Sequence, residues 1–262
     1  MRVLSRPVTL TALLLVGALA AWIITVDRMR GMDAGPGTAL GGLGWFVGIW
    51  VTMMAAMMLP SVAPMVLLFA KVADTKRGGD DFVPTWIFVA GYIAVWTVFG
   101  LVAYGLYRAV VSAGTGYLAW DRAGPYVAGG ALLAAGLYQL TPLKDVCLKH
   151  CRGPLHFVLG RWRAGRRGAL EMGAEHGAFC VGCCWGLMLA LFVLGVMSLF
   201  WMAVVAAVIF AEKLVPRGER LARVFAIALV GLGVWVAVSP GSVPGLVQPD
   251  SAGPAMDMSS RS

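Results

Sequence analysis

The chain has 262 residues, of which 60% are hydrophobic and only 13% charged. Soluble domains carry about a quarter charged residues, so this composition excludes a soluble globular protein and leaves no room for a large soluble domain beside a membrane one. The formal net charge of +8 would suggest nucleic acid in a soluble protein, but its distribution here assigns it to membrane orientation.

Apolar runs long enough to cross a bilayer, roughly 20 residues each, fall at about 7–26, 43–70, 83–107, 124–141, 177–196, 198–214 and 221–239. The first run follows Arg2 and Arg6 and is longer than a signal-peptide core of roughly 7–15 residues, so it reads as a retained helix. The second holds MMAAMMLP at 53–60, where Met53 pairs with Met57 and Met54 with Met58 at i, i+4, and Pro60 loosens the backbone one turn on. Thioethers at this spacing suit transient Cu(I) or Ag(I); taken alone they read as gap-filling side chains between helices. The third and fourth runs carry the polar residues Tyr104, Tyr138 and Gln139.

After the fourth run, Thr141 caps a short helix over 142–151 with Pro142 in its first turn. Gly153 and Pro154 stop it. Leu143, Val146, Cys147, His150 and Cys151 share one face, and Lys144, Asp145, Lys149 and Arg152 take the other. The pattern is that of an amphipathic interfacial helix. It opens a basic loop over 142–176. The stretch 177–213 is too long for one ordinary span and reads as two helices turning near Gly195 to Ser198. Glu212 and Lys213 are expected to pair or to snorkel at the inner end of the second of these. The tryptophans read mostly as interface anchors, and the Pro-, Gly- and Ser-rich tail over 241–262 as disordered. Asp27 to Asp33 and Met256 to Met258 are weaker candidates for attracting a cation outside.

Charge sets the orientation. With seven spans and the N-terminus in the cytoplasm, the basic clusters at 71–77, 144–167 and 213–223 fall inside, while only Arg28, Arg30, Arg108, Arg122 and Arg261 fall outside. Merging 177–213 into one span moves the 213–223 cluster outside and weakens the bias. The basic charge then serves orientation and contact with anionic lipid. No internal repeat, phosphate-binding glycine motif, HExxH or intramembrane carboxylate chain is present, and no catalytic residues are assigned.

The chemistry gathers at 176–188. His176, Cys180, Cys184 and Met188 lie four apart and form one helical stripe, with Cys183 beside Cys180. The fourth span ends on the same side, so Cys147, His150 and Cys151 start at the same depth. All five cysteines then converge on one cytoplasmic-side site. Such donors select Cu(I) or zinc over hard cations. Two other uses stay open: thiol–disulfide exchange at Cys180 and Cys183, and plain packing, since cysteine is also a small hydrophobe.

Three stretches, MMAAMMLPSVAPM at 53–65, YQLTPLKDVCLKHCRGPL at 138–155 and GAFCVGCCWGLMLALFVLGVMSLFWM at 177–202, resemble a bacterial family of predicted metal-binding integral membrane proteins, sometimes labelled copper chaperones. The resemblance runs over roughly 10–240. It implies metal binding at Met53, Met54, Met57, Met58, Cys147, Cys151, Cys180, Cys183 and Cys184. Ser198 stands where asparagine is common in that family, so no ligand role is carried to it.

The expectation is therefore an all-α, polytopic bundle of about seven transmembrane helices in the bacterial inner membrane, N-terminus cytoplasmic and C-terminus outside. It would bind Cu(I) through Cys147, Cys151, Cys180, Cys183, Cys184, His150, His176 and Met188, with Met53, Met54, Met57 and Met58 as a relay. Its partners would be the lipid bilayer and a copper-donating or copper-receiving protein, and not nucleic acid. A thiol–disulfide oxidoreductase and a structural zinc site are the alternatives.

Overall fold

The computed structural model describes residues 2–30, 40–77, 83–112, 123–195, 198–216 and 218–242. The segment 31–33, Arg122, Met197, Arg217 and the tail from 243 lie outside the described residues, as do the side chains of Arg2, Arg6 and Arg77. Within them the chain forms α1 (Arg2–Met29), α2 (Leu43–Arg77), α3 (Val83–Ser112), α4 (Gly124–Tyr138), α5 (Pro142–Arg152), α6 (Pro154–Gly160), α7 (Gly165–Gly195), α8 (Leu199–Leu214) and α9 (Gly218–Val238), with no strand among the described residues.

Five of these helices, α1, α2, α3, α7 and α9, are long and apolar enough to cross a membrane. α4 and α8, which occupy the expected fourth and sixth spans, have 15 and 16 residues. At 1.5 Å per residue they reach roughly 23–24 Å, short of a hydrocarbon core of about 30 Å. The chain is thus all-helical, with five helices of spanning length among the described residues.

The segment 142–176, expected as a loop beyond its first short helix, is nearly all helix: α5, α6 and the first third of α7. Ion pairs explain the extension of α7 through a charged stretch. Arg167 meets Glu171 at i, i+4 with 2.9 Å, Arg163 reaches Glu171 at 3.0 Å, and Arg161 pairs with Glu175. α7 ends at Gly195, whose φ of 110° is a conformation that glycine adopts without a side-chain penalty. Ser198 then caps α8, its hydroxyl accepting from the Trp201 amide. Asparagine caps helices equally well, which accounts physically for either residue at this position.

α2, α3 and α7 form the centre. Gly173 and Gly177 of α7 lie against the backbones of Phe88 and Tyr92 in α3, so the two helices run parallel at close range. α4 and α9 run antiparallel, Gly129 on Gly233 and Gly136 on Ala226. Small residues permit both approaches. α1 packs along α2. Trp50 and Trp96, expected with the interface anchors, are instead buried in this centre, the Trp50 indole donating to the Trp96 carbonyl at 2.8 Å. Apolar side chains such as Val16, Leu19, Ile23, Val102 and Ile227 cover the outside.

Candidate metal centre

The position of α5 comes from charge. Thr141 caps it by accepting from the Lys144 amide, and Pro142 opens its first turn. The Lys144 ammonium is fully buried; it pairs with Glu212 of α8 at 2.6 Å and donates to Gln139, which in turn donates to Glu212 at 3.0 Å. At the other end Arg152 donates to the Val215 carbonyl at 2.8 Å. Held at both ends, α5 buries Lys144 and Leu148 and exposes Leu143 and Val146. The inward face is therefore rotated from the one that the apolar periodicity suggested. Glu212 and Lys213 also depart from expectation: they neither pair with each other nor snorkel, but point inward to different partners.

That rotation turns Cys151, half-buried, toward α7. Its Sγ lies 3.6 Å from Cys183 Sγ on α7. The sulfurs of Cys151, Cys180 and Cys183 all lie within 4.8 Å of one another. A metal bound by three thiolates at about 2.3 Å holds its sulfurs about 4 Å apart, so this group is of the right size and softness for such an ion. Cys184 touches Cys183, sulfur to sulfur at 3.3 Å, but falls outside the group of three. All five cysteines are free thiols.

Cys147 lies one turn before Cys151 on α5 and is half-buried. It faces Gly182: a Cβ there would sit 2.7 Å from its sulfur, so the glycine lets α5 approach. The Tyr138 hydroxyl donates to the Gly182 carbonyl on the same side. Burial pushes the Cys147 thiol pKa up. Hydrogen bonding to Cys180, and then burial, hold the Cys151 thiol well above its ordinary value.

Cys180 has two partners that periodicity did not reveal. The Tyr92 hydroxyl on α3 and Lys213 Nζ on α8 each lie 3.0 Å from its sulfur. Lys213 also reaches Ser61 Oγ at 3.3 Å, and Ser61 donates to the Met58 carbonyl at 3.0 Å. Thus α2, just past Pro60, closes onto the thiols through a lysine. The available signal was an ionisable residue at the end of an apolar run, which in membrane segments points to function by default.

The remaining candidates are placed as follows. His150 does not belong to the group of three sulfurs: its ring stacks flat on Phe179 at 4.2 Å and its Nδ1 bonds the Val146 carbonyl. His176 is buried among Phe88, Tyr92 and Phe157, and its Nδ1 has no hydrogen-bond partner. Met188, Met53, Met54, Met57 and Met58 are all buried in the same apolar cluster as Cys180, Cys183 and Cys184.

A family model described as copper chaperone, PpoB2, matches residues 47–236. The chain belongs to this family. The match begins in α2 and ends in α9, and every cysteine and all four methionines of 53–58 fall within it. None of the curated proteins and none of the solved structures matches the chain. Within the copper-chaperone family the three-thiol group has a chemical context: it is a soft donor set able to hold a metal ion.

Proposed function

We propose that this member of the copper-chaperone family is a multi-pass protein of the bacterial inner membrane. It binds Cu(I) at Cys151, Cys180 and Cys183, near the cytoplasmic face, and hands the ion to a copper-receiving protein. The reading is carried by one observation, the meeting of three thiol sulfurs from α5 and α7 within 4.8 Å. Structural zinc, almost always held by four ligands, would have to recruit a fourth donor such as Cys184, 3.3 Å from Cys183, to these three.

The proposed mechanism is ligand exchange. Met53, Met54, Met57 and Met58 carry the ion along α2 toward Ser61, which touches Lys213 and through it Cys180. Cys184 and Met188 extend the soft lining along α7. Cys147, half-exposed beside the site, is the sulfur that an incoming partner meets first. Seven spans, with α4 and α8 as short crossings, place the basic clusters of 71–77, 144–167 and 213–223 in the cytoplasm.

Elemental analysis of protein isolated anaerobically from copper-supplemented cells tests this reading. About one copper per chain is expected, lost in the Cys151→Ser/Cys180→Ser/Cys183→Ser variant. Retention of copper by that variant, or zinc in place of copper in the wild type, contradicts it. A reversible Cys180–Cys183 disulfide trapped in intact cells would show exchange chemistry instead.

A further inference from the structure

Lys213 is not a soft ligand, yet it is built into the thiol site. It is buried, and its Nζ rests 3.0 Å from Cys180 Sγ. The carboxylate next to it in sequence, Glu212, is turned to Lys144 and Gln139. The ammonium therefore sets its charge against the sulfurs and also donates to the Ser61 hydroxyl.

Charge balance gives this placement a consequence. A monovalent ion held by three thiolates leaves two negative charges in a buried site, whereas two thiolates leave one. Uncompensated buried charge is strongly unfavourable. With a lysine ammonium at hydrogen-bond distance from one sulfur, the three-thiolate complex leaves one net negative charge and the two-thiolate complex none, so the third thiolate no longer adds to an uncompensated charge but is offset by the ammonium. The Tyr92 hydroxyl, 3.0 Å from the same sulfur, orients it further without adding charge.

We propose that Lys213 is a positioning residue whose ammonium, resting on Cys180, sets the coordination of the bound Cu(I) at three sulfurs rather than two. The proposal rests on the copper-binding reading above and deepens it. Partners that act behind a metal's own ligands typically change affinity by about 10–100-fold when removed.

The test uses the full chain, reduced and loaded with Cu(I) alone at one equivalent, read by X-ray absorption and by competition against a chromophoric chelator. The wild type shows three sulfurs. Lys213→Met shows two, and its Cu(I) affinity falls by about 10–100-fold. Lys213→Arg, which keeps the charge, restores three sulfurs and an affinity within a few-fold of wild type. Three sulfurs in Lys213→Met overturn the proposal, whatever its affinity. Fewer than three sulfurs in the wild type overturn the copper site itself, a failure distinct from that of the lysine. Where Lys213→Met does not purify as a folded protein, Lys213→Gln, which donates without the charge, carries the same prediction and the same refutation.

Discussion

Lys144 and Glu212 carry opposite charges at 0% and 1% exposure, 2.6 Å apart. Removing one partner of such a pair leaves a buried charge uncompensated and costs about 3–5 kcal/mol, whereas replacing both with apolar side chains can be nearly neutral. Lys144→Met should therefore lower the thermal midpoint of the detergent-solubilised protein sharply, and Lys144→Met/Glu212→Leu should recover most of it. Equal midpoints for the single variant and the wild type would contradict the pairing. The α5 thiols have an opposite effect on binding and on stability as pH changes. Cys147 and Cys151 have raised folded-state values, so their contribution to the stability of the metal-free protein is fully present below the ordinary thiol value of 9.0. It is lost as pH rises above that value toward their folded ones. Metal binding runs the other way, because a thiol must release its proton to bind. Cu(I) affinity should rise from pH 6 to pH 8, up to about tenfold per pH unit for each proton displaced. Competition titrations across that range check the sign, and a flat profile would exclude thiolate ligation.

At the scale of elements, glycines decide how closely helices approach. A Cβ at Gly173 would collide with the backbone of Phe88, and backbone cannot rotate aside. Gly173→Ala should force α3 from α7 at a cost of about 1–3 kcal/mol and lift Tyr92 from Cys180. Gly105→Ala, in the same α3 and facing open space, should be neutral or slightly stabilising. Thermal unfolding of the two variants side by side checks the contrast. The ends of α5 were legible in the sequence because capping is local: Thr141, Pro142 and Gly153 act within a few residues of themselves. The inward stripe of Cys180, Cys184 and Met188 was legible because helical periodicity is local too. The rotation of α5 was not, since it is set by Lys144 meeting Glu212, 68 residues away. A pairing across the chain leaves no periodic trace, and the same holds for Lys213 on Cys180 and for Cys147 over Gly182. The extension of α7 back to Gly165 was hidden because a charged, glycine-rich stretch resembles a loop until Arg161, Arg163 and Arg167 find Glu171 and Glu175.

At the scale of the whole molecule, the chemistry gathers where the ends of α4 and α8 meet the middle of α7. The C-terminal ends of α4 and α8 and all of α5 meet there around the buried Lys144–Glu212 pair, with the thiols of α7 beside them. The proposed seven crossings, with the site toward the cytoplasm, predict that a reporter fused after Ser262 is active outside the cell and one inserted near Gly165 is active inside. The reverse pattern would invert the site and expose it to an oxidising compartment. The central claim is that three particular sulfurs, and not the cysteines at large, form the Cu(I) site. Single-cysteine variants compared by anaerobic Cu(I) competition titration test it most directly. Cys151→Ser, Cys180→Ser and Cys183→Ser should each weaken binding by an order of magnitude or more, while Cys147→Ser stays close to wild type. Equal loss from Cys147→Ser, or undiminished binding in any of the three, would contradict it.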